Sequence, residues 1–193
     1  MCNKEQGYYQ SQINTENISE VLNEMSKRIH KQNVEVGWWD NPNPCIFEKL
    51  QLVSTEIAEA TEAERKDLMD DKLPHRKGGE VELADALIRV LDLGGYLGLT
   101  FQDTLTMGGY YYRNWSIGKR HLEINAELVM FSSNLDGTET TKNNYSILIK
   151  TILDISDSLG YDIIKTAEEK IKYNSTRADH KRENREKANG KKF

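Results

Sequence analysis

Apolar residues recur at helical spacing along most of this 193-residue chain, and that periodicity limits the possible folds more than any other feature. In TENISEVLNEMSKRIHKQ, residues 15–32, the apolar residues on one side are Ile18, Val21, Leu22, Met25 and Ile29. The same spacing predicts further helices over residues 46–69, 79–98, 121–135, 145–160 and 162–177. Because no segment alternates polar and apolar residues over the length of a strand, the sequence predicts an all-α fold.

We expect these helices to form one domain over residues 1–177. The segment GWWDNPNPC (37–45) is predicted to be a loop, because it combines glycine, asparagine and two prolines. We also expect loops at residues 108–120, which are rich in aromatic side chains, and at residues 136–144. Residues 178–193 are dense in charge and almost free of apolar side chains, so this tail is predicted to be flexible.

Two parts of the chain resemble each other. LDLGGYLGL (91–99) aligns with LDISDSLGY (153–161), at the ends of two predicted helices. In this alignment the second helix pair lacks acidic residues of the first, with Asn144 and Ile147 in place of Glu82 and Asp85. Residues 102–161 are therefore either an insertion or a degenerate duplication. The glycine pair Gly94–Gly95 either loosens the end of its helix or permits close helix packing.

The composition excludes some partners and compartments. The formal net charge is -5, so no overall basic field favours nucleic acid. No apolar run is long enough to span a membrane, and the first ten residues contain no hydrophobic signal core. Two cysteines are too few for a disulfide framework. We therefore expect a soluble cytoplasmic protein, acting in its own cell or, if a virus encodes it, in the host cytoplasm.

Acidic residues form two pairs that each share one helical face, because residues three apart lie one turn apart. Glu56 and Glu59 form the first pair, and Glu82 and Asp85 form the second among apolar neighbours. An isolated pair of this kind is typically solvated surface. If the two helices pack against each other, however, four carboxylates meet, and a hard divalent cation would offset their repulsion. Asp92 is a candidate supporting ligand, with a helix-cap or surface position as its alternative.

The motif made by Glu56-Ile57-Ala58-Glu59 and Glu82-Leu83-Ala84-Asp85 resembles the signature of the all-α nucleotide pyrophosphohydrolases, which include MazG, dimeric dUTPases and dCTP pyrophosphatases. VGWWD (36–40), ELADALIRVLDLGGYLG (82–98) and EKIKYNSTR (169–177) are similar to the phage-type MazG-like branch. The resemblance implies a core like a four-helix bundle, with metal-binding helices at about 46–69 and 79–98. It does not extend to residues 102–161, which are additional relative to a minimal member.

The resemblance implies hydrolysis of a nucleoside or deoxynucleoside triphosphate at the α–β bond, giving the monophosphate and pyrophosphate. Glu56, Glu59, Glu82 and Asp85 would then be both catalytic residues and ligands of Mg²⁺, with Mn²⁺ as a substitute. A nucleotide-binding protein that sequesters its ligand without turnover is the alternative. The resemblance also implies a homodimer or homotetramer, or an internal pseudo-dimer if the duplication is real. A di-iron bundle is disfavoured because the chain has no Glu-x-x-His motif.

Six further residues are candidates for substrate binding. Lys170, Asn174 and Arg177 fall on one helical face and are candidate phosphate contacts, their alternative being an ordinary basic helix end. Trp38 or Trp39 suits stacking with a nucleobase. His30 has a placement similar to a pocket histidine of the dCTP-hydrolysing relatives, with a surface or core histidine as its alternative.

Overall fold

The computed structural model describes residues 17–103 and 108–177. These ranges contain seven α-helices, namely α1 (Ile18–Glu35), α2 (Ile46–Arg65), α3 (Gly78–Leu97), α4 (Gly108–Tyr112), α5 (Ile117–Ser132), α6 (Glu139–Leu159) and α7 (Ile163–Thr176). No strand occurs within them, and an isolated β-bridge joins Met69 to Lys77. The predicted all-α class is confirmed. The predicted tail at 178–193 lies outside the described residues.

Helix α3 is the central element of the core. It packs against α1, α2, α6 and α7, and its buried residues include Val81, Leu83, Leu87 and Leu91. A helix that is apolar on most sides must be covered on most sides, and α3 fits that requirement. The acidic residues of α3 are therefore carried by the helix whose position the packing fixes most firmly.

The two glycines near the end of α3 allow neighbouring helices to approach closely. A methyl group at Gly94 would lie 2.1 Å from Tyr145 Oη of α6, and one at Gly95 would lie 2.5 Å from His30 Cβ of α1. Of the two expectations for this glycine pair, these contacts favour close helix packing over a loosened helix end. Gly94 and Gly95 therefore let α6 and α1 pack closely against neighbouring positions of the same helix turn.

Helices α3 and α6 end in the same way. Gly98 and Gly160 are left-handed C-caps with φ of 66° and 77°. The next N–H groups bond back to the helix, from Leu99 to the Gly94 carbonyl at 2.9 Å and from Tyr161 to the Ser156 carbonyl at 3.0 Å. These positions correspond in the alignment of residues 91–99 with 153–161. The sequence similarity thus extends to the geometry that ends each helix.

Two predicted loops are partly helical, so those predictions were wrong in part. The aromatic stretch 108–120 contains α4 and the first turn of α5, whose Ser116 hydroxyl accepts a hydrogen bond from the Lys119 N–H. The predicted loop 136–144 already contains the start of α6, because Asp136 and Thr141 close the turn before it at 2.9 Å. Polar and aromatic residues at helix starts hid the helical period in both places.

Among the described residues, no helix is long and apolar enough to cross a membrane.

Candidate functional site

A cleft of about 890 Å³ opens between α1, α2, α3 and α7, a volume within the range of small-molecule sites. Nine of the ten predicted site residues line it, namely Glu56, Glu59, Glu82, Asp85, Trp38, Trp39, Lys170, Asn174 and Arg177. The tenth, His30, contacts the Trp39 ring from α1, with their ring centroids 5.2 Å apart. Folding therefore collects residues from distant parts of the sequence into one concave surface.

Three of the four predicted metal ligands form a tight cluster. Glu56 and Glu59 of α2 and Glu82 of α3 each offer a carboxylate oxygen, and these oxygens lie within 4.8 Å of one another. Glu56 is buried and Glu82 is half-buried, whereas Glu59 is exposed. Asp85 lies outside this cluster, because its Oδ2 is 2.9 Å from Lys170 Nζ of α7.

Two cations partly offset the negative charge of the cluster. Arg89 binds Glu56, with Nη2 and Nε each 2.6 Å from Glu56 Oε1. Lys170 pairs with Asp85, and both side chains are largely buried at 6% and 19% exposure. Burial alone would lower the pKa of Lys170, but the Asp85 carboxylate beside it raises that pKa above its ordinary value. Lys170 is therefore a permanent cation at the floor of the cleft.

Glu82 has the most perturbed acidity in the site. Burial, and then the neighbouring Asp85 and Glu56 carboxylates, raise the pKa of Glu82 from 4.5 to about 8. Burial also raises the pKa of Asp85 to about 6, although Lys170 opposes the shift. Without a compensating cation, the cluster thus resists full ionisation near neutral pH.

The donor set fits a hard divalent cation. Every candidate ligand atom is a carboxylate oxygen, and a bound cation would offset both causes of the raised pKa of Glu82, its burial and the repulsion from Asp85 and Glu56. Glu56, Glu59 and Glu82 could hold such an ion as they stand. Asp85 could join them only after its contact with Lys170 is released.

Asp92 organises the opposite, aromatic end of the cleft. Its carboxylate accepts hydrogen bonds from Asn33 Nδ2 at 2.7 Å, His30 Nδ1 at 2.9 Å and Trp39 Nε1 at 3.0 Å. Burial raises the pKa of Asp92, and these three hydrogen bonds oppose the rise. The sequence suggested a supporting metal ligand or a cap for this residue, but Asp92 instead fastens the Trp39 loop to α1 and α3.

Trp39 is held by its neighbours before any ligand arrives. Its ring stacks on Tyr96 with centroids 4.2 Å apart and planes 10° apart. Lys49 Nζ lies 4.8 Å from the Trp39 centroid and donates to the Trp38 carbonyl oxygen at 3.2 Å. The Trp39 indole is therefore a fixed wall of the cleft and not a free flap.

Helix α7 supplies the polar groups that face the carboxylates. Lys170 and Asn174 lie one turn apart on the side of α7 that lines the cleft. Arg177 lines the cleft too, but it follows the helix as its extended C-cap residue, so the prediction that all three share one helical face was wrong for Arg177. Among the described residues, Asn174 Oδ1 is buried without a hydrogen-bond partner. A buried oxygen of this kind is costly unless a water or ligand donates to it.

Sequence reasoning missed several residues that shape the site. Arg89 lies four residues after Asp85, so the helical period could have placed it on the acidic face. Glu80 has no comparable signal. Its buried Oε1 accepts from Thr166 Oγ1 at 2.7 Å, Arg76 Nη1 at 3.0 Å and the Asp162 N–H at 3.1 Å, which joins the start of α3 to the start of α7.

Compared with family models, curated proteins and solved structures, the chain has no match.

Proposed function

We propose that this protein is a divalent-metal-dependent nucleotide pyrophosphohydrolase of the MazG-like type. It would hydrolyse a nucleoside or deoxynucleoside triphosphate at the α–β bond to the monophosphate and pyrophosphate. The observation that carries this proposal is the content of one cleft: a three-carboxylate cluster, the Lys170 and Asn174 side chains, and a fixed tryptophan wall. A triphosphate needs a metal end, a cationic wall and a flat apolar surface, and this cleft offers each of them.

In this proposal Glu56, Glu59 and Glu82 hold Mg²⁺, or Mn²⁺ in its place, and Asp85 completes the set. The ion would neutralise charge on the phosphates and acidify a bound water. Glu59 is the most accessible of the three clustered carboxylates, so we assign it the orientation of the attacking water. Arg89 orients the Glu56 carboxylate by its contact at 2.6 Å.

Lys170 has two partners in this scheme. Its Nζ lies 2.9 Å from Asp85 Oδ2. A triphosphate entering the cleft would offer Lys170 a more highly charged partner, and the released Asp85 would turn to the ion. Asn174 and Arg177 extend the same wall and would contact the outer phosphates. Substrate and metal would therefore bind with positive cooperativity, each raising the affinity for the other.

The decisive experiment is a nucleotide panel. Purified protein is incubated with each of the common NTPs and dNTPs with Mg²⁺, and both monophosphate and pyrophosphate are quantified. We expect stoichiometric release of the two products from at least one nucleotide, and none when EDTA replaces Mg²⁺. Absence of monophosphate from every nucleotide would refute the proposal. Asp85→Asn tests the ligand set, and Glu62→Gln is the matched control, because Glu62 is exposed on α2 and pairs with Arg65 instead.

A second candidate is a protein that binds and sequesters nucleotides without turnover. The ion pairs at Asp85 and Glu56 favour it, because Lys170 and Arg89 neutralise acidic charge that a catalytic metal would otherwise need. Calorimetry followed by identification of the bound species separates the two functions. Recovery of intact triphosphate after prolonged incubation with Mg²⁺ supports sequestration, whereas recovery of monophosphate supports hydrolysis.

We also propose that the protein works in the cytoplasm as a homo-oligomer or as an internal pseudo-dimer, in which α5 and α6 take the place of a second metal-helix pair. The packing of α5 on both α2 and α6 supports the pseudo-dimer. Light scattering of the purified chain distinguishes a monomer from a dimer or tetramer.

A further inference from the structure

We propose that the aromatic end of the cleft selects cytosine and adenine, whose amino group stands where uracil and hypoxanthine carry a carbonyl, through the side-chain oxygen of Asn33, and that Asp92 is the positioning residue that sets this preference. The ligand's being a nucleotide rests on the proposed function. The preference itself follows from the hydrogen bonds around Asp92.

The first step is the orientation of the Asn33 amide. The Asn33 atom 2.7 Å from Asp92 Oδ2 is the amide nitrogen, because the carboxylate that accepts from His30 and Trp39 accepts from Asn33 as well. Asn33 Oδ1 is then the other end of the amide. Asn33 lines the cleft, and in residues 17–103 and 108–177 its side chain has no other hydrogen bond. Its oxygen is therefore available to a ligand.

The second step concerns the neighbouring hydrogen-bond donors, which are already bonded to Asp92. Asp92 also takes the Trp39 indole N–H at 3.0 Å and the proton on His30 Nδ1 at 2.9 Å. Three side-chain donors at this wall, from Asn33, His30 and Trp39, thus point to one buried carboxylate, which is 15% exposed. The group of Asn33 that is available to a ligand in the cleft is therefore Oδ1, a hydrogen-bond acceptor.

The third step is the distance from the metal end. Asp92 lies two turns beyond Asp85 on α3, about 10 Å along the helix axis. A nucleotide whose phosphates lie at Glu56, Glu59 and Glu82 needs a separation of this order to place its base beside the Trp39 loop. Asn33 is therefore positioned to meet the edge of a base and not a phosphate.

The preferred base follows from hydrogen-bond complementarity. Cytosine and adenine carry an amino group that can donate to Asn33 Oδ1, whereas uracil and hypoxanthine carry a carbonyl at the same position. Two acceptors facing each other in a half-buried site leave both without a partner, which weakens binding by about 10- to 100-fold. We expect that ratio between cytosine and uracil nucleotides.

The sharpest test is Asp92→Asn, because Asp92 uses its two oxygens differently. Oδ1 accepts from His30 at 2.9 Å and from Trp39 at 3.0 Å, whereas Oδ2 accepts from Asn33 at 2.7 Å and shares the Trp39 N–H at 3.2 Å. An amide at position 92 can keep its oxygen toward His30 and Trp39 and direct its nitrogen at Asn33. The Asn33 amide must then turn over, which presents its nitrogen to the cleft. We expect the preference to reverse in favour of uracil.

The measurement is a titration of tryptophan fluorescence with dCTP and dUTP analogues that carry an imido group in place of the α–β bridging oxygen. These ligands bind without being hydrolysed. Wild type is expected to prefer the cytosine analogue by about 10-fold or more, Asp92→Asn the uracil analogue, and Asn33→Leu neither. Asp154→Asn is the matched control, because Asp154 aligns with Asp92, is 5% exposed and lies outside the cleft. It should keep the wild-type preference.

Equal affinity of wild type for the two analogues would overturn the inference, as would failure of both to bind. An Asp92→Asn variant that weakens both analogues equally would assign Asp92 a merely structural role and would also overturn it. These outcomes are independent of catalysis. Discrimination without hydrolysis of any natural nucleotide leaves the inference intact and refutes the proposed activity, and hydrolysis without discrimination does the reverse.

Discussion

Replacing Glu82 by glutamine should stabilise the metal-free protein, and the gain should grow with pH. Glu82 is held among other acidic side chains, and burial followed by repulsion from Asp85 and Glu56 raises its pKa to about 8. Glutamine has nearly the same shape and cannot ionise. The substitution therefore removes the repulsion and leaves the packing of α2 against α3 in place.

The sign and size follow from proton linkage. In the unfolded chain Glu82 loses its proton near 4.5, whereas in the folded protein it keeps the proton until about pH 8. The folded state thus binds more protons between these values, and its stability falls as pH rises through this window. The full shift corresponds to about 5 kcal/mol, and exposure of the cleft to solvent reduces this to about 2–3 kcal/mol.

Thermal unfolding of both proteins in EDTA at pH 5 and pH 8 tests this reasoning. Near pH 5 the two should differ little, and at pH 8 Glu82→Gln should melt about 5–10 °C higher. Adding Mg²⁺ should narrow the gap, because the ion compensates the carboxylates of the wild type. A variant less stable than wild type at pH 8, or a difference independent of pH, would refute the account of Glu82. Glu62→Gln is the control, because Arg65 and Lys66 lower the pKa of Glu62 to about 2, so its pH dependence has the opposite sign.

Three further predictions test other parts of the molecule. Glu59→Gln should lower metal-dependent hydrolysis by about 100-fold or more with an unchanged circular dichroism spectrum, and a near-wild-type rate would contradict its assignment. Lys170→Met should tighten Mn²⁺ binding to the substrate-free protein by about tenfold, because it frees the Asp85 carboxylate. A titration followed by electron paramagnetic resonance measures this effect. The same substitution should raise KM for the nucleotide. Gly94→Ala should destabilise the fold by about 1–3 kcal/mol in urea, because its methyl group meets Tyr145, whereas Gly118→Ala, with no atom within 4 Å, should not.

The sequence predicted the helices and the shared face of each acidic pair because both follow from local periodicity. It could therefore anticipate that Glu56, Glu59 and Glu82 meet once α2 packs on α3. It could not anticipate that Lys170 would take Asp85 out of that cluster, since the pair joins residues 85 positions apart in the chain. Charge partners of this kind depend on the tertiary arrangement and have no signature in helical spacing.

At the aromatic end of the cleft, too, the sequence predicted which residues are involved but not the contacts that hold them. Trp38, Trp39 and His30 were expected near the base, and the structure brings them to one end of the cleft or against its wall. Asp92 holds His30 and Trp39 in place, whereas its spacing in α3 had suggested either a supporting metal ligand or a helix-cap or surface position. A buried carboxylate can serve a cation or a set of N–H donors equally well, and only the three-dimensional neighbours decide between them.

The hydrogen bonds to Glu80 hold the N-terminal end of α7 in place, so α7 can move most at its C-terminal end. Two hydrogen bonds to Glu80 fix the first turn of α7 to the start of α3, and Asn174 lies twelve residues beyond Asp162, about 18 Å along the helix. If α7 rotated by about 10° about its N-terminal end, its C-terminal end would move by about 3 Å, and the hydrogen bonds to Glu80 would be kept. Any opening that admits a ligand should therefore be widest at Asn174 and Arg177, and smallest beside the carboxylates.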